Sequence, residues 1–234
     1  MHIKQLIKKQ NETQQKVSDF YTPNGLHIYF KDPMENDNVD VEKVIAKVES
    51  ILPHHLTSEV EMIIVGKFKE FEEKGFNAFY DSGTICVDSE QDDNEDMIDD
   101  LIHEFAHSLE EPHGMLIYGD SKIQQEFLGK RYALHDILWK SGIKIPKSIF
   151  SNLEYDTEFD LLLYKKIGYD KLRAYCEGLF LTAYAPTSLR EYFATGFTEF
   201  FLYPDSHDHI KKTCPVLYKK IYQLYYEESV DNYQ

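Results

Sequence analysis

Cysteine, positive charge and long apolar runs are all scarce in this sequence. Three cysteines in 234 residues, Cys86, Cys176 and Cys214, stand far apart and form no Cys-x-x-Cys pair. An odd, scattered set argues against a disulfide framework and a thiolate metal site, and favours the role of small buried apolar residues. Lys and Arg total 25 against 41 Asp and Glu, a net charge of −16. Such a chain is poorly suited to phosphate backbones or to an anionic lipid surface. No stretch approaches the ~18 apolar residues of a membrane helix. The N-terminus carries lysines but no apolar run of about seven residues, so it does not read as a secretory signal. A soluble, cytoplasmic, monomeric product is therefore expected. Repeats and long Gly/Ser/Pro linkers are also missing, so residues 1–234 read as one domain.

What is present argues for a folded core. Hydrophobic residues make up 42%, and the 17 Tyr and 15 Phe are more than a disordered chain carries. Residues 1–22 are polar and read as helical in part. Leu26–Phe30 alternates as a strand does, and Asn38–Leu52 places Val41, Val44, Ile45, Val48, Ile51 and Leu52 at helical spacing. Val60–Val65 reads as a buried strand. Phe76–Tyr80 and Thr84–Asp88 flank Asp81-Ser82-Gly83, a hairpin signal. From residue 95 onward the periodicity is helical, in segments 95–110, 120–141, 155–167, 169–182, 188–202 and 208–227. The fold class is α+β, with a sheet-bearing part over 1–110 and a helical part over 111–234.

One motif carries chemistry: His103-Glu104-Phe105-Ala106-His107. Met97, Ile98, Leu101, Ile102, Phe105 and Leu109 around it make an amphipathic helix, on which residues four apart share a face. His103 and His107 can then aim ring nitrogens at one ion, and tetrahedral zinc accepts such ligands at ~2.0–2.1 Å. Zinc lowers the pKa of its bound water to ~7, and Glu104, offset by about 100°, can take the proton and hand it on. A catalytic site needs a third protein ligand. His113 is wrongly spaced for the extended motif. Glu191, in Ser188-Leu-Arg-Glu191-Tyr-Phe-Ala-Thr-Gly-Phe-Thr-Glu-Phe-Phe201, is the better candidate, because its aromatic helix draws it inward and a buried carboxylate needs a partner charge. Ser188-x-x-Glu191 is equally a helix capping box, and the residues alone leave both readings open.

These two motifs together, with Tyr184 seven residues before Glu191, resemble the anthrax-lethal-factor-like zinc metallopeptidases, which include the Pro-Pro endopeptidases. The resemblance covers roughly residues 40–227, and the hairpin Tyr80–Asp88 resembles the strand pair before the family's active-site helix. It implies a zincin-like fold, one Zn2+ per chain held by His103, His107 and Glu191, Glu104 as general base, Tyr184 assisting at the transition state, and a peptide or protein as substrate. Residues 108–190 separate the second His from Glu191, an interval longer than the family's pattern, so the 112–183 region reads as an insertion.

Other features are weaker. Asp88–Asp100 holds eight acidic residues in thirteen and reads as a solvated loop with an acidic helix start. Asp99 or Asp100 can hold the outer nitrogen of a ligand imidazole. Thr84–Asp88 is either a sheet edge open to an extended peptide or an internal hairpin strand. His54, His55, His207 and His209 read as turn residues, His135 as a satisfied helix histidine, and the tyrosines at 218–226 as a packed helix. The rival to an enzyme is an inactive acidic protein of the same fold that binds a basic partner. Mn or Co in place of zinc is also compatible with the ligand types.

Overall fold

In the computed structural model of the chain, residues 19–74 and 76–226 are described. The helical expectation for the N-terminus falls, over residues 1–18, outside them. The chain divides into two compact units, Met1–Leu109 and Glu110–Gln234.

The first unit is built on a five-stranded mixed sheet of order β1-β2-β3-β5-β4. Its strands are β1 (Phe20–Tyr21), β2 (His27–Phe30), β3 (Met62–Val65), β4 (Ala78–Asp81) and β5 (Thr84–Val87). Ile28, Ile63 and Ile85 lie opposite one another in two parallel ladders, and all three are fully buried. β4 and β5 join through Ser82 (φ 48°) and Gly83 (φ 83°), the two positive φ values that a tight hairpin turn requires. β5 lies between β3 and β4. Thr84–Asp88 is thus an internal strand, and among the described residues the edges are β1 and β4. Helix α1 (Val41–Ile51), α2 (Lys69–Lys74) and α3 (Asn94–Ser108) complete the unit, with α3 packed on α1, β4 and β5. Asp40 caps α1 by accepting from the Lys43 amide at 3.2 Å, and Asp93 caps α3 by accepting from the Asp96 amide at 2.9 Å.

The second unit is helical: α4 (Gly114–Tyr118), α5 (Lys122–Lys140), α6 (Thr157–Leu161), α7 (Tyr169–Cys176), α8 (Leu189–Leu202), α9 (His207–Thr213) and α10 (Pro215–Tyr226). One sheet and ten α-helices among the described residues make the class α+β. The expected helix 155–167 is α-helical only to Leu161 and continues as a π-helical turn over Leu162–Ile167. The expected helix 169–182 stops at Cys176, where Gly178 takes φ 73°. The expected 208–227 helix is two helices, broken at Pro215, whose ring cannot continue the ladder. The three cysteines are buried free thiols.

Fixed cations organise this unit. The buried Arg131 guanidinium of α5 donates to Asn152 O (2.5 Å) and Ile149 O (3.0 Å) and lies 4.2 Å above the Phe159 ring. That fixes the 149–153 stretch, whose Leu153 carbonyl accepts from Leu189 N, at the start of α8, at 2.8 Å. Lys130 of α5 donates to Leu179 O (2.8 Å) and Thr213 O (2.5 Å). His135 is buried, its Nε2 3.0 Å from Ile145 O and its Nδ1 3.0 Å from Asp136 Oδ1, the satisfied histidine expected.

α8 meets α10 at Gly196, where a Cβ would stand 2.8 Å from the Leu217 Cγ. Gly→Ala inside a helix ordinarily gains ~1 kcal/mol. Here overpacking costs ~1–3 kcal/mol and outweighs it, because Leu217 is fully buried. Gly196→Ala is therefore expected to lower the urea midpoint, and an unchanged or raised midpoint would contradict the close packing.

Candidate metal centre

In the first unit, α3 presents His103 and His107 one turn apart, with ring centroids 5.0 Å apart and planes at 73°. Glu104 is buried on the same helix, and Phe105 and Ala106 pack inward. The apolar face that seats α3 against the sheet is what fixes the direction of the two imidazoles. Asp100, three residues before His103, accepts from Gln91 Nε2 at 3.2 Å. Burial pushes its carboxyl up to about 7, and the charge of His103 acts in the opposite sense. Asp99 feels the same histidine.

In the second unit, Glu191 lies in the first turn of α8. Ser188 caps that helix, its Oγ accepting from the Glu191 amide at 3.1 Å. One half of the capping box is thereby present, while the Glu191 carboxylate supplies a possible ligand oxygen. Tyr184 sits on the stretch between α7 and α8. Its carbonyl accepts from Thr187 N (3.0 Å) and Thr187 Oγ1 (2.8 Å). Burial holds the Tyr184 phenol in its protonated form, with the Glu191 charge acting the same way. Tyr184 therefore lies within the field of Glu191 and is a hydrogen-bond donor at neutral pH.

One donor atom from each of His103, His107 and Glu191 lies within 4.8 Å of the other two, so this group can hold a metal ion. Ligand atoms around tetrahedral zinc stand ~3.3 Å apart, inside that bound. Two imidazole nitrogens and a carboxylate oxygen are a donor set that suits zinc and other divalent transition metals. The histidines read as turn residues do not join it. His54 and His55 form a short 3-10 turn, and His207 stacks on Phe200 at 4.1 Å. His113 stands at the N-cap of α4.

The sequence reading missed the polar groups around Glu191 within the second unit. Tyr155 donates to Asp160 at 2.8 Å and Tyr169 contacts it at 3.5 Å, and all three act on Tyr184 electrostatically. Arg190 and Glu110 pair through Nε and Oε2. No periodicity or spacing marks these residues, since each is recruited through the tertiary fold.

Asp100 has a testable consequence for the metal-free protein. Its folded carboxyl titrates near 7 against an ordinary 3.8. The native state thus retains a proton that the unfolded chain releases, and stability falls as pH rises between those values. Asp100→Asn removes this loss. In chelator, its denaturant midpoint should match wild type near pH 4, pull ahead as pH rises to about 7, and stay level above it. A constant offset at all pH values would contradict the shifted titration. Compared with protein-family models, curated proteins and solved structures, the chain matches none.

Proposed function

We propose that the chain is a zinc-dependent endopeptidase of zincin-like fold. The observation that carries this reading is the convergence of His103, His107 and Glu191 within 4.8 Å, because the sequence motif alone leaves the third ligand open. Bound zinc would supply Lewis acidity and a water acidified to ~7. The remaining roles belong to the chain. Glu104 is adjacent to a ligand and buried on α3, where a carboxylate can accept a proton from the attacking water and deliver it to the departing amine. Tyr184, protonated and in the field of Glu191, can donate to the oxygen on which negative charge develops. The substrate class is a peptide or protein. The net charge of −16 speaks against nucleic acid. No helix among the described residues is long and apolar enough to cross a membrane.

Elemental analysis of the purified chain should find about one zinc, lost together with activity on dialysis against chelator. A metal-free protein that stays folded would favour an acidic interaction protein instead. Glu104→Ala should keep the metal and lose ~100- to 10,000-fold in peptide cleavage. Cleavage at wild-type rate would remove Glu104 from the reaction. Tyr184→Phe should lower kcat by ~100- to 1,000-fold with KM little changed, and a loss confined to KM would make it a binding residue only.

A further inference from the structure

Arg190 and Glu191 are neighbours in the first turn of α8. A guanidinium beside a carboxylate ligand is a hazard for a cation site, because the two can pair and cancel the charge the metal needs. The structure directs Arg190 elsewhere, its Nε contacting Oε2 of Glu110. The Glu110 side chain is only 10% exposed, whereas that of Arg190 is 55% exposed. A nearly buried carboxylate binds a cation more strongly than an exposed one and is costly to leave alone. The pair is thus anchored by its buried member, which holds the exposed one.

The surroundings add rigidity. The fully buried hydroxyl of Tyr118 is kept protonated by burial and by the charges of Glu110 and Glu191, with the Arg190 charge acting in the opposite sense. The Tyr118 ring packs edge-on to Phe193 of α8 at 6.3 Å. Its helix, α4, is fixed by Lys220, which donates to Leu116 O at 2.5 Å. These contacts place an acid, a guanidinium and a phenol around the start of α8.

We propose that Glu110 is a positioning residue: by holding Arg190 it preserves the negative charge of Glu191 for a divalent cation shared with His103 and His107. The proposal rests on the metal-centre reading above and adds a residue that acts through another, without touching the ion. Charge counting makes the opposite expectation, since losing a distant acid would alter zinc binding only slightly. Releasing Arg190 instead places a competing cation on a ligand, and disturbing groups that orient metal ligands costs ~10- to 100-fold in affinity.

The test is zinc titration of the full chain against a chromophoric chelator, with the unfolding midpoint of each metal-free variant measured alongside. Glu110→Gln should bind zinc ~10- to 100-fold more weakly than wild type. Arg190→Gln should bind at least as tightly as wild type. The double variant should recover the affinity of Arg190→Gln, a rescue that simple loss of packing cannot produce. Wild-type affinity in Glu110→Gln, or a double variant as weak as Glu110→Gln, overturns the proposal. So does a loss of about tenfold in Arg190→Gln alone, a result that does not depend on Glu110→Gln folding. A wild-type chain that binds no zinc, or one whose zinc survives His103→Ala, overturns the metal centre itself and this inference with it.

Discussion

Lone-pair donors gathered closely repel each other unless a proton or a cation lies among them. His103, His107 and Glu191 each offer a donor atom within 4.8 Å of the other two. Local structure within each unit fixes the helix that carries them. In the first unit, α3 is seated on the sheet by a buried face that includes Met97, Leu101, Ile102 and Phe105, so its histidines cannot rotate away without exposing that face. In the second, Glu191 is fixed by the Ser188 cap, and the start of α8 by the Leu153 carbonyl, itself held in the stretch that Arg131 pins.

Helix caps recur at the points that matter. Asp40, Asp93, Asp156 and Ser188 each accept from an amide in the first turn of their helix. A cap fixes where a helix begins, and hence which residues fall in its first turn. For α8 that placement puts Arg190 and Glu191 in its first turn. The acidic run around Asp93 takes its meaning from the same geometry: carboxylates at the start of α3 face the positive end of its dipole.

Much of this was legible in the residues. The strands at His27–Phe30 and Met62–Val65, the hairpin closed by Ser82 and Gly83, and the helices bearing His103, His107 and Glu191 follow from periodicity and turn chemistry. The place of Glu191 beside the two histidines was legible only as one of two readings, because a capping glutamate and a liganding one share the same position. β1 escaped notice because two residues carry no period, and its pairing is supplied by β2. The internal place of β5 depends on a parallel pairing with β3, a partner about twenty residues away that no local signal names. The end of α7 was a matter of one glycine at Gly178, and the break before α10 of one proline, Pro215. The pairing of Arg190 with Glu110 spans 80 positions and belongs to tertiary structure alone.

The stretch carrying Tyr184 is tied down at both ends. Lys130 grips the Leu179 carbonyl on one side, Thr187 closes back on Tyr184, and Leu189 is bound to Leu153 on the other. Its conformational entropy is therefore surrendered during folding, not at the moment a guest arrives. The backbone that carries Tyr184 is thus set by the fold itself, with no slack loop left to bring to order.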